Sequence, residues 1–258
     1  DNLILSFPEV HDRAALRLAN RLVGNPADAA VVEATFGGLD LLVHDAATVA
    51  LTGAACPGLD HAAAVSLAAG ARVRLGVPPA GLRSYLAVRG GVLVDPVLGS
   101  ASTDLLSGLG PPPLLPGDRL AIGPEPSGDV SGEPGGAGRL TGVLRVIAGP
   151  RTDWFDAGAL DVLTSASWSV RTDSDRIGVR LDGPRLARTR TVELPSEPTL
   201  PGALQMPPDG RPILLGPDAP VTGGYPVIAV VCEADLDLVG QLRPGDPVRF
   251  RSAPRSRG

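Results

Sequence analysis

The chain has 258 residues, 43% of them hydrophobic and 20% charged, with a formal charge of −5, enough to bury one large core or two modest ones. All 23 basic residues are arginine, so neither a Schiff-base lysine nor the lysine of a phosphate-gripping P-loop is available. Aromatic residues make up 3% of the chain, which argues against a stacking platform for single-stranded nucleic acid. No apolar run reaches about eighteen residues and no basic-then-apolar start is present, which predicts neither a membrane span nor a signal peptide.

The 33 Gly and 27 Pro are scattered between short apolar runs, where they read as turns between many short strands. In chain order, Asp12 to Val23 predicts a helix: Asp12 caps it, Ala15, Leu18, Ala19 and Leu22 recur at helical spacing, and Gly24 stops it. Strands are predicted around Val32 to Phe36, Leu39 to His44, Thr48 to Leu51, Ala71 to Leu75 and Leu82 to Val88. A helical turn is expected over Ser102 to Ser107 and a closing strand over Asp118 to Ile122. Pro124 to Gly138 has almost nothing to bury and reads as a linker, dividing an N-terminal domain (1–123) from a C-terminal one (139–258). The second domain is expected to run as strand 143–147, helix 156–163, strands 168–171, 177–181, 212–215 and 227–232, helix 235–242 and strand 247–250. Leu115-Pro116-Gly117-Asp118 echoes Arg243-Pro244-Gly245-Asp246, either as a trace of two related domains or as a recurrent good turn. The whole reads as mainly β with a few short helices.

The chemistry-bearing patterns are few. His11, His44 and His61 show no ligand spacing, and no HExxH or CxxC is present, so no metal site is expected. Cys56 and Cys232 read as free thiols of a cytoplasmic protein, with a disulfide as the alternative. No GxSxG elbow exists, and Thr164-Ser165-Ala166-Ser167 lacks the glycines such an elbow needs. The informative stretch is carboxy-terminal. Asp173-Ser174-Asp175-Arg176-Ile177-Gly178 sets carboxylates and a guanidinium beside a glycine, either aimed into a cleft or closing a solvated turn with a local Asp–Arg pair. Glu197, Gln205, Asp218 and Thr222-Gly223-Gly224-Tyr225-Pro226 follow. The two adjacent glycines allow close backbone approach to a ligand, or simply make a hairpin.

Several separated motifs in one order resemble the family of the C-type subunit of 5-oxoprolinase, also called allophanate hydrolase subunit 2 or biotin-dependent carboxyltransferase domain. They are Leu16-Arg17-Leu18-Ala19-Asn20-Arg21-Leu22-Val23-Gly24-Asn25, Leu51-Thr52-Gly53-Ala54, Arg83 to Gly91, Leu98 to Asp104, Gly149 to Phe155, Asp173 to Arg176, and Gln205 to Pro226. Asp1 to Val10 lacks the Gly-rich acidic stretch and the Pro-x-Ser-Gly segment usual before the first helix. The resemblance implies two β-barrel-like domains, the second cyclophilin-like. It implies a subunit of a complex that uses ATP to open the lactam of 5-oxoproline to glutamate, beside a sister subunit of related fold (the B-type subunit of 5-oxoprolinase, or allophanate hydrolase subunit 1) and a third component. No cofactor is expected on this chain itself. The alternatives are transfer of a carboxyl group from carboxybiotin to a urea-like substrate, which would need a separate biotin carrier, and a regulatory protein that antagonises a kinase inhibitor. Chemistry on an amide carbonyl needs fixed donors and a proton-handling carboxylate. That makes Asp175, Arg176, Asp218 and Tyr225 the catalytic candidates and Glu197, Gln205, Thr222, Gly223 and Gly224 the substrate-binding ones. Apolar edge strands in both domains would suit association with the sister subunit.

Overall fold

The computed structural model describes residues 3–6, 10–131, 142–190 and 192–254. The chain divides into two compact units, Asp1–Leu140 and Thr141–Gly258. The expected linker is described only up to residue 131, and the rest of it, from 132, lies outside the described residues.

The first unit runs β1 (Leu3–Ser6), α1 (Arg13–Leu22), β2 (Val31–Thr35), β3 (Asp40–Leu42), β4 (Ala47–Gly53), β5 (Ala64–Leu67), β6 (Arg72–Arg74) and β7 (Arg83–Val88). Its main sheet has the order β1-β2-β7-β4-β5, with β3 and β6 paired as a separate ribbon, and every pairing is antiparallel. Side chains alternate across a strand, and here both faces are covered. Val32, Val49, Leu51 and Leu86 enter one core with Leu39, Val73 and Leu75. Val31, Ala50, Tyr85 and Ala87 enter a second core with Ala15, Leu16, Ala19 and Leu22 of α1. Two-sided burial also takes in polar residues of β2 and β7, where Glu33 and Arg83 are buried and pair with each other. Asp12 caps α1 as the sequence predicts, its side chain accepting the Ala15 amide at 2.8 Å.

Four elements of this unit differ from expectation: β1 and β5 are strands where none was predicted, and two predicted elements are absent. Residues 105–107 form a turn rather than a helix, because the Asp104 carboxylate takes the amides of Leu106 (2.8 Å) and Ser107 (3.3 Å) and so competes with helical pairing. Of Asp118 to Ile122, only Ile122 pairs, through a single bridge to Val92. No strand therefore joins β1 to β5, and among the described residues this sheet stays open.

The family-like motifs of this unit build a clasp. Asn25 donates to Asn20 Oδ1 (3.1 Å) and to the Val88 carbonyl (2.8 Å), and its own oxygen accepts the Gly90 amide (2.9 Å). Arg89 donates to the Val23 carbonyl at the end of α1 (2.6 Å) and to the carbonyls of Gly128 (2.9 Å) and Pro126 (3.2 Å), and it pairs with Glu125. The start of the expected linker is thus bound to the end of the helix. Gly24 sits at φ 72°, where a β-carbon would strike the Gly128 carbonyl, so Gly24 is required both for its backbone angle and for space. Asn25→Ala removes three hydrogen bonds at once and is expected to cost about 2–3 kcal/mol, read as a lowered urea midpoint at unchanged slope.

The second unit runs β8 (Val143–Ala148), α2 (Ala159–Ser165), β9 (Trp168–Val170), β10 (Gly178–Asp182), β11 (Glu197–Pro198), β12 (Ala203–Gln205), β13 (Ile213–Leu215), β14 (Thr222–Gly223), β15 (Val227–Val231), α3 (Leu236–Val239) and β16 (Pro247–Ser252). Seven of these strands close into a barrel in the order β10-β13-β12-β15-β8-β16-β9, and β9 pairs back onto β10. Its interior holds Leu144, Val146, Trp168, Val179, Leu181, Leu204, Leu214 and Phe250. A closed barrel has no edge, which corrects the expectation of apolar edge strands for this unit. The Pro-Gly-Asp echo is one turn used twice: Asp118 accepts the Leu115 amide and Asp246 the Arg243 amide, each at 2.8 Å. Only the second of these turns leads into a strand.

Asp235, buried beside α3, accepts the backbone amide of Arg145 (2.7 Å) and that residue's guanidinium (2.7 and 3.0 Å). The Arg145 side chain holds the Asp235 carboxyl below its ordinary value of 3.8. A depressed folded-state value means that the stabilisation is present above the unfolded value and is lost as pH falls through the folded one. The gap in melting temperature between wild type and Asp235→Asn should therefore be full at neutral pH and close as the pH is taken below 3.8. Because the Arg145 side chain is 49% exposed, solvent screening keeps this contribution small.

Candidate functional site

On β12, Leu204 faces the barrel interior, so Ala203 and Gln205 face outward. That outer face carries a small second core of Ala203, Leu215 and Val227 with Ile213, Ala219 and Val230. It lies beside a two-stranded ribbon, β11 paired with β14 through Glu197↔Gly223 and Pro198↔Thr222. Gln205 is 7% exposed, and its Nε2 is buried without a hydrogen-bond partner. A β-carbon at Gly223 would come within 2.5 Å of that nitrogen. The ribbon therefore roofs the amide closely, and glycine is what lets it do so.

The stretch Leu186 to Arg190 is tied down by the motif Gly149 to Phe155, which also holds Glu197 of the ribbon. Phe155 bridges to Arg188, the Trp154 carbonyl takes the Thr189 amide at 2.9 Å, and Arg190 pairs with Asp153 at 2.7 Å over the Trp154 ring. Arg151 pairs with both carboxylate oxygens of Glu197. This segment delivers Arg188, whose guanidinium donates to the Met206 carbonyl and stacks 5.6 Å from the Tyr225 ring centroid. The Nε of Arg188 is buried without a partner, and burial holds the guanidinium below the usual arginine range. Two unmatched buried donors, Gln205 Nε2 and Arg188 Nε, thus flank the stretch Gly223–Tyr225. Unmatched donors cost stability, and each such buried group calls for an explanation, a role in binding or catalysis among them. Tyr225, 42% exposed, also borders a cavity of about 250 Å3 lined by Arg171, Arg180, Arg211 and Asp209.

The remaining candidates have internal partners. Asp175 closes its own turn, one oxygen accepting the amides of Ile177 (2.9 Å) and Gly178 (3.0 Å), while Asp173 pairs with Arg171 (2.9 Å). Arg176 and Asp218 form a buried bidentate ion pair, Nε to Oδ2 at 2.8 Å and the second nitrogen to Oδ1 at 3.0 Å. They clamp the entry to β10 onto the turn after β13, the turn from which β14 departs, and so position the ribbon. Glu197 is engaged by Arg151, and Thr222 is exposed, its backbone paired with Pro198. The structure thus brings Gln205, Gly223, Gly224, Tyr225, Thr222 and Glu197 to one place and sets Asp175, Arg176 and Asp218 in its supports. Sequence reading passed over Arg151 and Arg188. The only signal for Arg188 was the run Arg185-Leu186-Ala187-Arg188-Thr189-Arg190, in a loop with no periodicity. Cys56 and Cys232 are free thiols, and among the described residues there is no cluster of three or more metal-ligating side chains and no helix long and apolar enough to cross a membrane.

Comparison with known proteins agrees with this architecture. The profile of the carboxyltransferase domain, subdomain A and B, matches residues 10–252. The C-type subunit of the 5-oxoprolinase of Escherichia coli (strain K12) is 42% identical over 250 residues, covering 93% of this chain and 80% of that protein. The urea amidolyase of Saccharomyces cerevisiae is 32% identical over 93% of this chain, which spans only 15% of the yeast enzyme. The crystal structure of the Kluyveromyces lactis urea carboxylase superposes with a TM-score of 0.91 at 26% identity, over 98% of this chain and 26% of that one. With a profile match over nearly its whole length and a relative at 42% identity, the chain belongs to the family of the carboxyltransferase domain, subdomain A and B, and of the C-type subunit of 5-oxoprolinase.

Proposed function

We propose that this chain is one subunit of an ATP-dependent complex that opens an amide or lactam, with 5-oxoproline as substrate and glutamate as product, and that the substrate amide is held at Gln205. The observation that carries this reading is the unpartnered Gln205 Nε2 in a chain of this family. A carboxamide donates to a carbonyl and accepts from an N–H, and a lactam presents its carbonyl and N–H side by side, so one glutamine can take both. Arg188, with its buried unpartnered Nε, supplies fixed positive charge for oxygen-centred charge that develops as the amide opens. The three arginines lining the cavity beside Tyr225 are already paired with Asp173 or Asp182, so a substrate carboxylate there would share them with those internal partners. The ribbon β11–β14 lifts to admit the substrate, Gly223 moving off the amide, and closes over it to exclude water. Asp175, Arg176 and Asp218 act in this scheme as positioning residues that fix where the ribbon starts.

A sister subunit and a third component supply ATP hydrolysis and complete the site; no cofactor is held by this chain. The likeness to urea carboxylase favours a second reading, transfer of a carboxyl group from carboxybiotin to a urea-like nitrogen, for which the same glutamine would hold one N–C=O edge of urea. The deciding experiment measures ATP-dependent glutamate release from 5-oxoproline by this chain alone, by its partner subunits alone and by the mixture. Activity confined to the mixture is the expected result. A stable, verified complex with no release, but with carboxybiotin-dependent turnover of urea, would replace the first reading by the second.

A further inference from the structure

A second concavity lies on the barrel away from Gln205, between the end of α2 and β16. It is a groove of about 550 Å3 lined by Val143, Thr164, Ser165, Ser167, Arg249, Phe250, Arg251 and Ser252. Its polar lining is two guanidinium groups and four hydroxyls, with no carboxylate, in a chain whose acidic residues outnumber its basic ones, 28 to 23.

The register explains why this charge is uncompensated. Arg249 and Arg251 are two apart on β16 and flank the buried Phe250, so both project to one side. Arg251 lies beside Arg145 of β8 in the parallel pairing, and Arg145 holds the nearby carboxylate, Asp235. Arg249 and Arg251 make no ion pair among the described residues. The end of α2 would ordinarily repel an anion through its free carbonyls, but here the Leu163 carbonyl accepts the Trp168 indole N–H at 3.0 Å and the Leu160 carbonyl accepts the Thr164 hydroxyl at 2.8 Å. Ser165, Ser167 and Ser252 stand exposed at the rim.

We propose that this groove is a binding site for a phosphate group, free or carried on a small molecule. Arg249 and Arg251 provide forked, charge-assisted donors matched to tetrahedral oxyanions, and the serine hydroxyls provide neutral ones. Nothing in this assignment depends on the reaction at Gln205. The floor of the groove reports on occupancy, because Phe250 packs against Trp168 with ring centroids 6.5 Å apart.

The test titrates the full chain with inorganic phosphate at constant ionic strength held by chloride, following tryptophan fluorescence and 31P linewidth, with ADP and a simple phosphomonoester as parallel arms. Saturable phosphate binding is expected, weakened about ten-fold or more in Arg249→Gln/Arg251→Gln, as for the loss of two charge-assisted contacts, and unchanged in Arg119→Gln, an exposed arginine of the first unit. Tighter binding in either organic arm, equally lost in the double variant, would identify the group as carried rather than free. A response equalled by chloride, binding that survives the double substitution, or saturation by a dicarboxylate and not by phosphate would overturn the proposal. The substituted arginines are exposed, and an unchanged melting temperature verifies that the variants are folded.

Discussion

If the proposed function holds, replacing Gln205 with Met is expected to lower 5-oxoproline turnover by the reconstituted complex about a hundredfold, the scale of losing one preorganised donor to a developing oxyanion, while the melting temperature stays level or rises. The two halves of this expectation come from one atom. Gln205 Nε2 is buried with nothing to donate to, so in the free protein it contributes a desolvation penalty and no bond. Met has nearly the volume of Gln and no polar atom, and an unmatched donor replaced by an apolar group of similar shape is close to neutral or stabilising. A residue kept for packing would show the reverse, with stability falling and activity following it. Parallel kinetics and calorimetry on Gln205→Met separate the two. A stability loss without a specific loss of turnover would remove Gln205 from the site.

Arg176→Met is expected to destabilise the barrel unit by about 3–5 kcal/mol, the cost of leaving one member of a buried ion pair alone. The side chains of Arg176 and Asp218 are 5% and 1% exposed, so the carboxylate left behind cannot rehydrate without opening the turn after β13. The double variant Arg176→Met/Asp218→Leu should recover most of that loss, since apolar replacement of both charges is often neutral. High salt should change neither result, in contrast to an exposed pair. If the single variant is as stable as wild type but inactive in the complex, Arg176 acts on substrate directly and its positioning role fails.

Much of the strand pattern was legible. β4, β7, β10 and β15 stand out because alternation or continuous apolar runs survive in sequence wherever strands bury one face or two. The strands missed outright are β1, β5, β11, β12 and β14, each only two to four residues long. β11 and β14 are two residues each, too short for any period, and they exist because Glu197 and Gly223 meet across the outer face of β12. Closure was equally hidden, since whether a sheet ends or joins itself depends on pairing partners: Val248↔Trp168 closes one unit, while Ile122↔Val92 is a lone bridge in the other. At the site, Gln205, Gly223 and Tyr225 could be named because they fall in the family-like stretch Gln205 to Pro226, where two adjacent glycines beside polar residues allow close backbone approach to a ligand. Arg188 could not, because one arginine in a chain of 23 basic residues is conspicuous only once its neighbours are known to be Met206 and Tyr225.

The parallel pairing of β8 with β16 sets the order in which this molecule can mature during synthesis. These are the first and last strands of the barrel unit in the chain, and between them lies every other strand of the closed sheet. No barrel can close until β16 has left the ribosome, so the ribbon over Gln205 and the groove beside α2 both come into being only after that last strand emerges. The first unit, which ends at Leu140, has no such requirement and can fold while the second is still being made. A contact joining the ends of a unit carries a large loop-closure cost and slows folding, so refolding of the intact chain should show a fast phase from the first unit followed by a slower one from the barrel.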